Sequence, residues 1–214
     1  CHTLIDGAMF NSGQCCCGIE RIYVHHSVYD QFLDTAINIV QRYKLGDPLD
    51  HETDIGPMAS PRFATLVRDQ IDEALTMGAI ANIAPFDSDD GGAYLTPQIL
   101  TSVTQEMRVM REESFGPVVG IMKVSGDDEA TAMMNDSDFG LTASLWTQDL
   151  DRAERIAARI ETGTIFMNRA DYLDPGLCWT GCKQSGRGGG LSMIGYHNLT
   201  RPKSYHLKKA YTCN

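Results

Sequence analysis

Period-two runs of apolar residues alternate along the chain with apolar stripes at helical spacing. Arg21 to His25, RIYVH, is a short β-branched and aromatic run that predicts a strand. Ser27 follows as an N-cap for a helix carrying Val28, Phe32, Ile39 and Val40, which Gly46 and Pro48 stop. A second helix is predicted from Pro61, tolerated in a first turn after Ser60, to Gly78, with Phe63, Leu66, Val67, Ile71, Ala74 and Leu75 at helical spacing. Strand-like residues 81–85 come next, then DSDDGG at 87–92 as a solvated turn. Pro97 predicts an edge or irregular strand for 94–100. PVVGIMKV at 117–124 predicts a clearer strand. A helix over 127–136, a strand over 141–147, a helix from Asp149 to Glu161 and a strand over 163–168 complete the alternation. Strands alternating with helices of this length imply an α/β fold, a largely parallel sheet flanked by helices.

Beyond Asn168 the pattern breaks. Seven of the 20 glycines fall between Gly176 and Gly195, which predicts a loop shaped for a function or one with little fixed order. RPKSYHLKK at 201–209 alternates weakly and predicts a terminal strand pairing outside the main body. No internal repeat or low-complexity tract interrupts the chain.

Composition narrows the function. With 214 residues and 43% hydrophobic content the chain buries a full core, which excludes disorder as its default state. The net charge of −10 repels phosphate backbones and anionic headgroups, so neither nucleic acid nor a membrane surface is an expected partner. No apolar stretch has the length a bilayer requires, and the N-terminus lacks the build of a signal peptide, so a soluble, cytoplasmic protein is expected. The start at Cys1 predicts a fragment or a processed piece. The seven cysteines, at 1, 15, 16, 17, 178, 182 and 213, are odd in number and three are adjacent, which is no disulfide framework. Cys178 and Cys182 have no second pair of that kind to complete a zinc site, and no metal is expected.

Two stretches could carry chemistry. In FNSGQCCCGIERIYV, residues 10–24, a turn at Gly13-Gln14 would expose backbone N–H groups that favour a thiolate and hold an oxyanion; three small buried hydrophobes are the alternative. In REESFGP, residues 111–117, a carboxylate stands at the mouth of a strand, where it could accept hydrogen bonds from ligand hydroxyls or simply face water. GRGGG at 186–190 lacks the spacing of a phosphate-binding loop, and the acidic run at 87–90 lacks that of a calcium loop.

These stretches resemble, in order and at about the same spacing, the motifs of the aldehyde dehydrogenase superfamily. FNSGQCCCGIER is similar to its cysteine signature and EESFGPVV, at 112–119, to its Glu-x-Phe-Gly-Pro motif. GDPLDHETDIGP, FGLTASLWT, GTIFMN and GCKQSGRG extend the resemblance over nearly the whole chain. The resemblance implies that Cys16, second after the glutamine, is the nucleophile, with Cys15 and Cys17 as neighbours. It implies that Glu113 hydrogen-bonds the nicotinamide ribose of NAD or NADP, and that Phe115 lines the nicotinamide side. Asn11, Gly13 and Gln14 would shape the turn that presents the thiol, and Asn168 would help build the wall of the site. The family's general-base glutamate and oxyanion asparagine lie upstream of the cysteine and are not in this sequence, and neither is its cofactor-binding half. Residues 1–200 are then the catalytic domain and 201–214 a C-terminal oligomerisation strand and tail. The parent would be a homodimer or homotetramer that oxidises an aldehyde to a carboxylic acid through a thiohemiacetal and a thioester, and the fragment alone is expected to be inactive. Departures from the family pattern fall at Cys178-Trp179-Thr180-Gly181 and at Gly188-Gly189-Gly190, so the aldehyde is not assigned; Leu177 and Trp179 suggest a partly apolar entrance. A cofactor-independent thiol esterase or acyl-transfer domain, and a catalytically silent interaction domain, are the competing classes.

Overall fold

The computed structural model describes residues 1–89, 91–170 and 173–210. In chain order it forms α1 (His2–Met9), a 3-10 turn (Phe10–Gly13), β1 (Arg21–His25), α2 (Tyr29–Val40), α3 (Pro61–Thr76), β2 (Ile80–Ala81), β3 (Gln98–Thr101), α4 (Arg108–Arg111) and β4 (Val118–Val124). It continues with α5 (Asp127–Asn135), β5 (Phe139–Gly140), β6 (Thr142–Leu145), α6 (Leu150–Ala157), β7 (Thr164–Met167), β8 (Trp179–Thr180), β9 (Cys182–Lys183), β10 (Gly189–Gly190) and α7 (Ser192–Leu199). The result is an α/β fold with a mixed sheet flanked by helices.

The order of the main sheet is β1-β4-β3-β2. β1 and β3 both run parallel to β4, Arg21 facing Gly120 and Gln98 facing Val118, and only β2 is antiparallel, at the edge. A central strand covered on both faces needs a nearly continuous apolar run, which is what VVGIMKV supplies. Val119 and Ile121 pack with Ile22, Val24 and Ile99 against Ile5 and Val40 of α1 and α2. Val118 and Leu100 pack on the other face with Val67 of α3 and Met110 of α4. Each such fully buried side chain contributes about 1.5–3 kcal/mol. Gly120 makes room for that second layer, since a Cβ there would stand 2.3 Å from Met110 Sδ.

Several expectations need correction. Residues 98–101 are an inner strand of the sheet; Pro97 stands just before its first residue and so removes no ladder donor. Ser27 does not cap α2: Val28 is the N-cap, and the Ser27 hydroxyl lies 2.7 Å from His25 Nδ1. Ser60 does cap α3, accepting from the Arg62 N–H at 3.3 Å, but the buried stripe of that helix is Ala64, Val67, Gln70 and Ala74. Phe63 and Leu66 are 44% and 46% exposed, because the smaller side chains let the helix sit close to the sheet. The turn at 87–92 is more than wet loop. Asp89 accepts from the Thr96 N–H at 2.8 Å and pairs with Arg68 at 3.0 Å, while Asp90 lies outside the described residues.

β6 and β7 form a separate parallel pair, with Thr142–Leu145 opposite Thr164–Met167 and α6 as the crossover. The glycine-rich segment holds only two-residue strands, β8 with β10 and β9 with β5, and then α7. Residues 201–210 carry no regular structure and are exposed, so no strand forms there among the described residues. With no buried face, nothing fixes a register for that segment. Cys213 and the rest of 211–214 lie outside the described residues. No helix among the described residues is long and apolar enough to cross a membrane.

Candidate active site

The cysteine triplet sits at the end of an unusual piece of backbone. After α1, Asn11, Ser12 and Gly13 all take left-handed conformations, with φ of 52°, 57° and 71°. For the two residues with a Cβ this costs about 1–2 kcal/mol each, and a set of hydrogen bonds offsets it. Asn11 Nδ2 donates to the Gln14 carbonyl and Gln14 Nε2 donates back to the Asn11 carbonyl, both at 3.0 Å. The buried Ser12 hydroxyl donates to the Gly56 carbonyl at 2.7 Å, and Gln14 Oε1 accepts from the Ala59 N–H at 2.8 Å. The Gln14 N–H is consumed within the turn, donating to the Asn11 carbonyl at 3.1 Å, so it is not one of the donors the turn could offer a ligand. Gly13 lies against the other motif: a Cβ there would be 2.0 Å from the Gly116 carbonyl oxygen.

The chain then reverses. The Gly18 N–H donates to the Cys15 carbonyl at 3.0 Å, which puts Cys16 and Cys17 at the two corners of a β-turn. Cys16 is exposed and Cys17 is 4% exposed, while the sulfurs of Cys15 and Cys17 approach to 3.4 Å. One of three adjacent thiols thus faces outward.

The 112–117 loop separates its two acids. Glu112 is held by Arg108, 2.9 Å away, and by Gln70 Nε2 at 3.3 Å, and the hydrogen bond from Arg108 keeps its carboxyl below the usual range. Glu113 is exposed and lines the same cleft as Cys16, a hollow of about 910 Å³ between the outer edge of β1 and β6. Phe115 follows with φ of 50° and a ring 39% exposed.

Of the residues singled out from sequence, Cys16 and Glu113 share that cleft; Asn11, Gln14, Phe115, Asn168, Leu177 and Trp179 are not among its walls. Asn11 and Gln14 build the turn beneath the thiols. Asn168, left-handed at φ 54°, donates from Nδ2 to the Thr147 carbonyl at 2.7 Å and accepts from the Thr147 N–H at 3.1 Å. It therefore ties the ends of β6 and β7 together behind Thr147, which does line the cleft. Leu177 is exposed in a turn and Trp179 is half-buried in β8.

Sequence reasoning passed over Glu20. Its carboxylate lines the cleft and accepts two backbone hydrogen bonds from the other motif, from the Ser114 N–H at 3.0 Å and the Phe115 N–H at 3.2 Å. Burial, followed by the nearby Glu113 charge, pushes its carboxyl up against the pull of those two donors. The one local signal was an acid at the entrance of an apolar strand, four residues after Cys16. Among the described residues no group of three or more His, Cys, Asp or Glu side chains could hold a metal ion.

The family model described as the aldehyde dehydrogenase family matches residues 1–205. An aldehyde dehydrogenase of Paenarthrobacter nicotinovorans is 39% identical over 194 residues, 91% of this chain and 42% of that protein. The succinate-semialdehyde dehydrogenase [NADP(+)] of Deinococcus radiodurans is 35% identical over 197 residues, 92% of this chain and 41% of that protein. Among solved structures, betaine aldehyde dehydrogenase of Staphylococcus aureus in complex with NAD+ superposes with a TM-score of 0.85 at 31% identity, covering 92% of this chain and 40% of that one. The chain spans about two fifths of the length of these relatives. With the family model matching nearly its whole length, the chain belongs to the aldehyde dehydrogenase family.

Proposed function

We propose that this chain is the cysteine-bearing catalytic part of an NAD(P)-dependent aldehyde dehydrogenase that converts an aldehyde to a carboxylic acid. The observation that carries the reading is the placement of Cys16: the exposed corner of a turn that side chains hold in shape and that packs at Gly13 against the loop of Glu113, with both residues on one cleft. Cys16 attacks the aldehyde carbon as a thiolate and forms a tetrahedral thiohemiacetal, whose developing oxyanion its own backbone N–H would help to hold. The Glu113 carboxylate would accept from ribose hydroxyls, and the exposed Phe115 ring would give the nicotinamide an apolar flank. An exposed acceptor beside an exposed ring suits a nicotinamide riboside, and that group, when bound, supplies a hydride acceptor. The acyl group left on Cys16 is a thioester, which water hydrolyses with a glutamate as general base.

By the resemblance, that base, the oxyanion asparagine and the adenine-binding half belong upstream of Cys16. The 214 residues alone are therefore proposed to turn over no aldehyde, with the activity belonging to the full-length protein. The exposed segment 201–210, which includes Tyr205 and Leu207, is proposed to pair with another copy in a homodimer or homotetramer. One relative is named for NADP(+) and one structural neighbour is in complex with NAD+, so both cofactors are candidates.

The test is nicotinamide reduction by the full-length protein with a panel of aldehydes. Wild-type turnover is expected, and Cys16→Ala should lower it by at least about a thousandfold. Turnover that survives Cys16→Ala, or esterase activity without nucleotide in place of aldehyde oxidation, would contradict the reading.

A further inference from the structure

Glu20 is a carboxylate that the mechanism above leaves without a task. It stands four residues beyond Cys16, where the cysteine turn enters β1, and it lines the cleft. Each of its oxygens takes one backbone N–H of the facing loop, Oε2 from Ser114 at 3.0 Å and Oε1 from Phe115 at 3.2 Å. Those two amides follow directly after Glu113 and belong to the residues that carry the loop into its left-handed step at Phe115. A second contact between the two motifs, that of Gly13 with the Gly116 carbonyl, is steric and limits approach only. The carboxylate is attractive and bidentate, and it sets the distance and tilt of residues 113–115 relative to the strand that follows the nucleophile.

We infer that Glu20 is a positioning residue for the nicotinamide cofactor: by clamping the Ser114 and Phe115 amides it fixes where the Glu113 carboxylate and the Phe115 ring meet the ribose and the nicotinamide. This rests on the cofactor reading proposed above and adds a residue to it. Glu20 touches neither substrate nor cofactor; it acts through Glu113 and Phe115. Glutamine in its place keeps the volume but offers one acceptor to two donors and turns an N–H toward an N–H. Aspartate keeps both acceptors on a shorter arm.

The experiment compares wild type, Glu20→Gln and Glu20→Asp in the full-length protein, by steady-state kinetics in cofactor and aldehyde and by amide hydrogen exchange over 113–115. For Glu20→Gln the cofactor KM should rise about tenfold, the size of one lost charge-assisted hydrogen bond, while the aldehyde KM and the alkylation rate of Cys16 stay at wild-type values. Exchange at residues 114 and 115 should quicken, and Glu20→Asp should recover part of the cofactor KM. An unchanged cofactor KM in an active enzyme overturns the inference. So does a uniform loss of every parameter in step with lost folded protein, because that marks an ordinary stability role. A wild type without cofactor-dependent aldehyde oxidation instead overturns the reading of function, and this inference with it.

Discussion

Two glycine-containing loops of the molecule use their positive-φ glycines differently. In the cysteine turn Gly13 has a positive φ and its Cα faces a backbone carbonyl, with no space for a Cβ. In the loop after Asn168, Gly186 and Gly188 also have positive φ, yet a Cβ at either would meet nothing within 4 Å. The first loop uses glycine for close approach and surrounds it with hydrogen bonds from Asn11, Ser12 and Gln14; the second uses Gly186 and Gly188 for a change of direction, although Gly189, whose Cβ would stand 2.7 Å from Cys178 Sγ, is closely packed among partly buried two-residue strands. Glycine packed directly on a facing backbone carbonyl is therefore found at the turn that carries Cys16, whereas the positive-φ glycines of the second loop, Gly186 and Gly188, are open.

Substitutions can break this contrast. The largest effect is expected from Gly13→Ala, where the new Cβ collides with the Gly116 carbonyl and must push the two motifs apart; stability should fall by about 3 kcal/mol, overpacking and a left-handed alanine together, read as a lower urea midpoint. A midpoint equal to wild type would mean the two loops are not in contact. Ser12→Ala comes next. It removes a buried hydroxyl that satisfies the Gly56 carbonyl and should cost about 1–2 kcal/mol, measured in the same titration. The smallest effect belongs to the second loop: Asn198→Ala deletes an exposed bond to the Gly189 carbonyl and should shift stability by only ~0.5 kcal/mol. A loss as large as that of Ser12→Ala would show that the glycine-rich loop is held as firmly as the cysteine turn.

Much of this architecture was legible where local and tertiary demands agree. VVGIMKV reads as a buried central strand because both of its faces are covered, and Ser60-Pro61 reads as a helix start because cap and first-turn chemistry are local. Where tertiary packing chose among local options, the sequence misled. Phe63 and Leu66 look like core positions, yet α3 buries Ala64 and Val67 so that it can lie close to the sheet. Pro97 looks like an edge marker, yet it only precedes an inner strand. In the site, the proposed nucleophile Cys16 and the proposed cofactor acid Glu113 could be named from motifs, but the contacts of Glu20 run to two amides more than ninety residues away. Asn168 reads as a wall residue, and only its two bonds to Thr147 show how it braces that wall.

The central claim is that the fold singles out Cys16 from its two neighbours. Timed alkylation of the native full-length protein with iodoacetamide, with the label mapped to each cysteine by mass spectrometry, tests it most directly. The account predicts that Cys16 is modified first, that the half-buried Cys15 follows more slowly and that Cys17 reacts only on unfolding. Equal labelling of all three in the folded protein would contradict it.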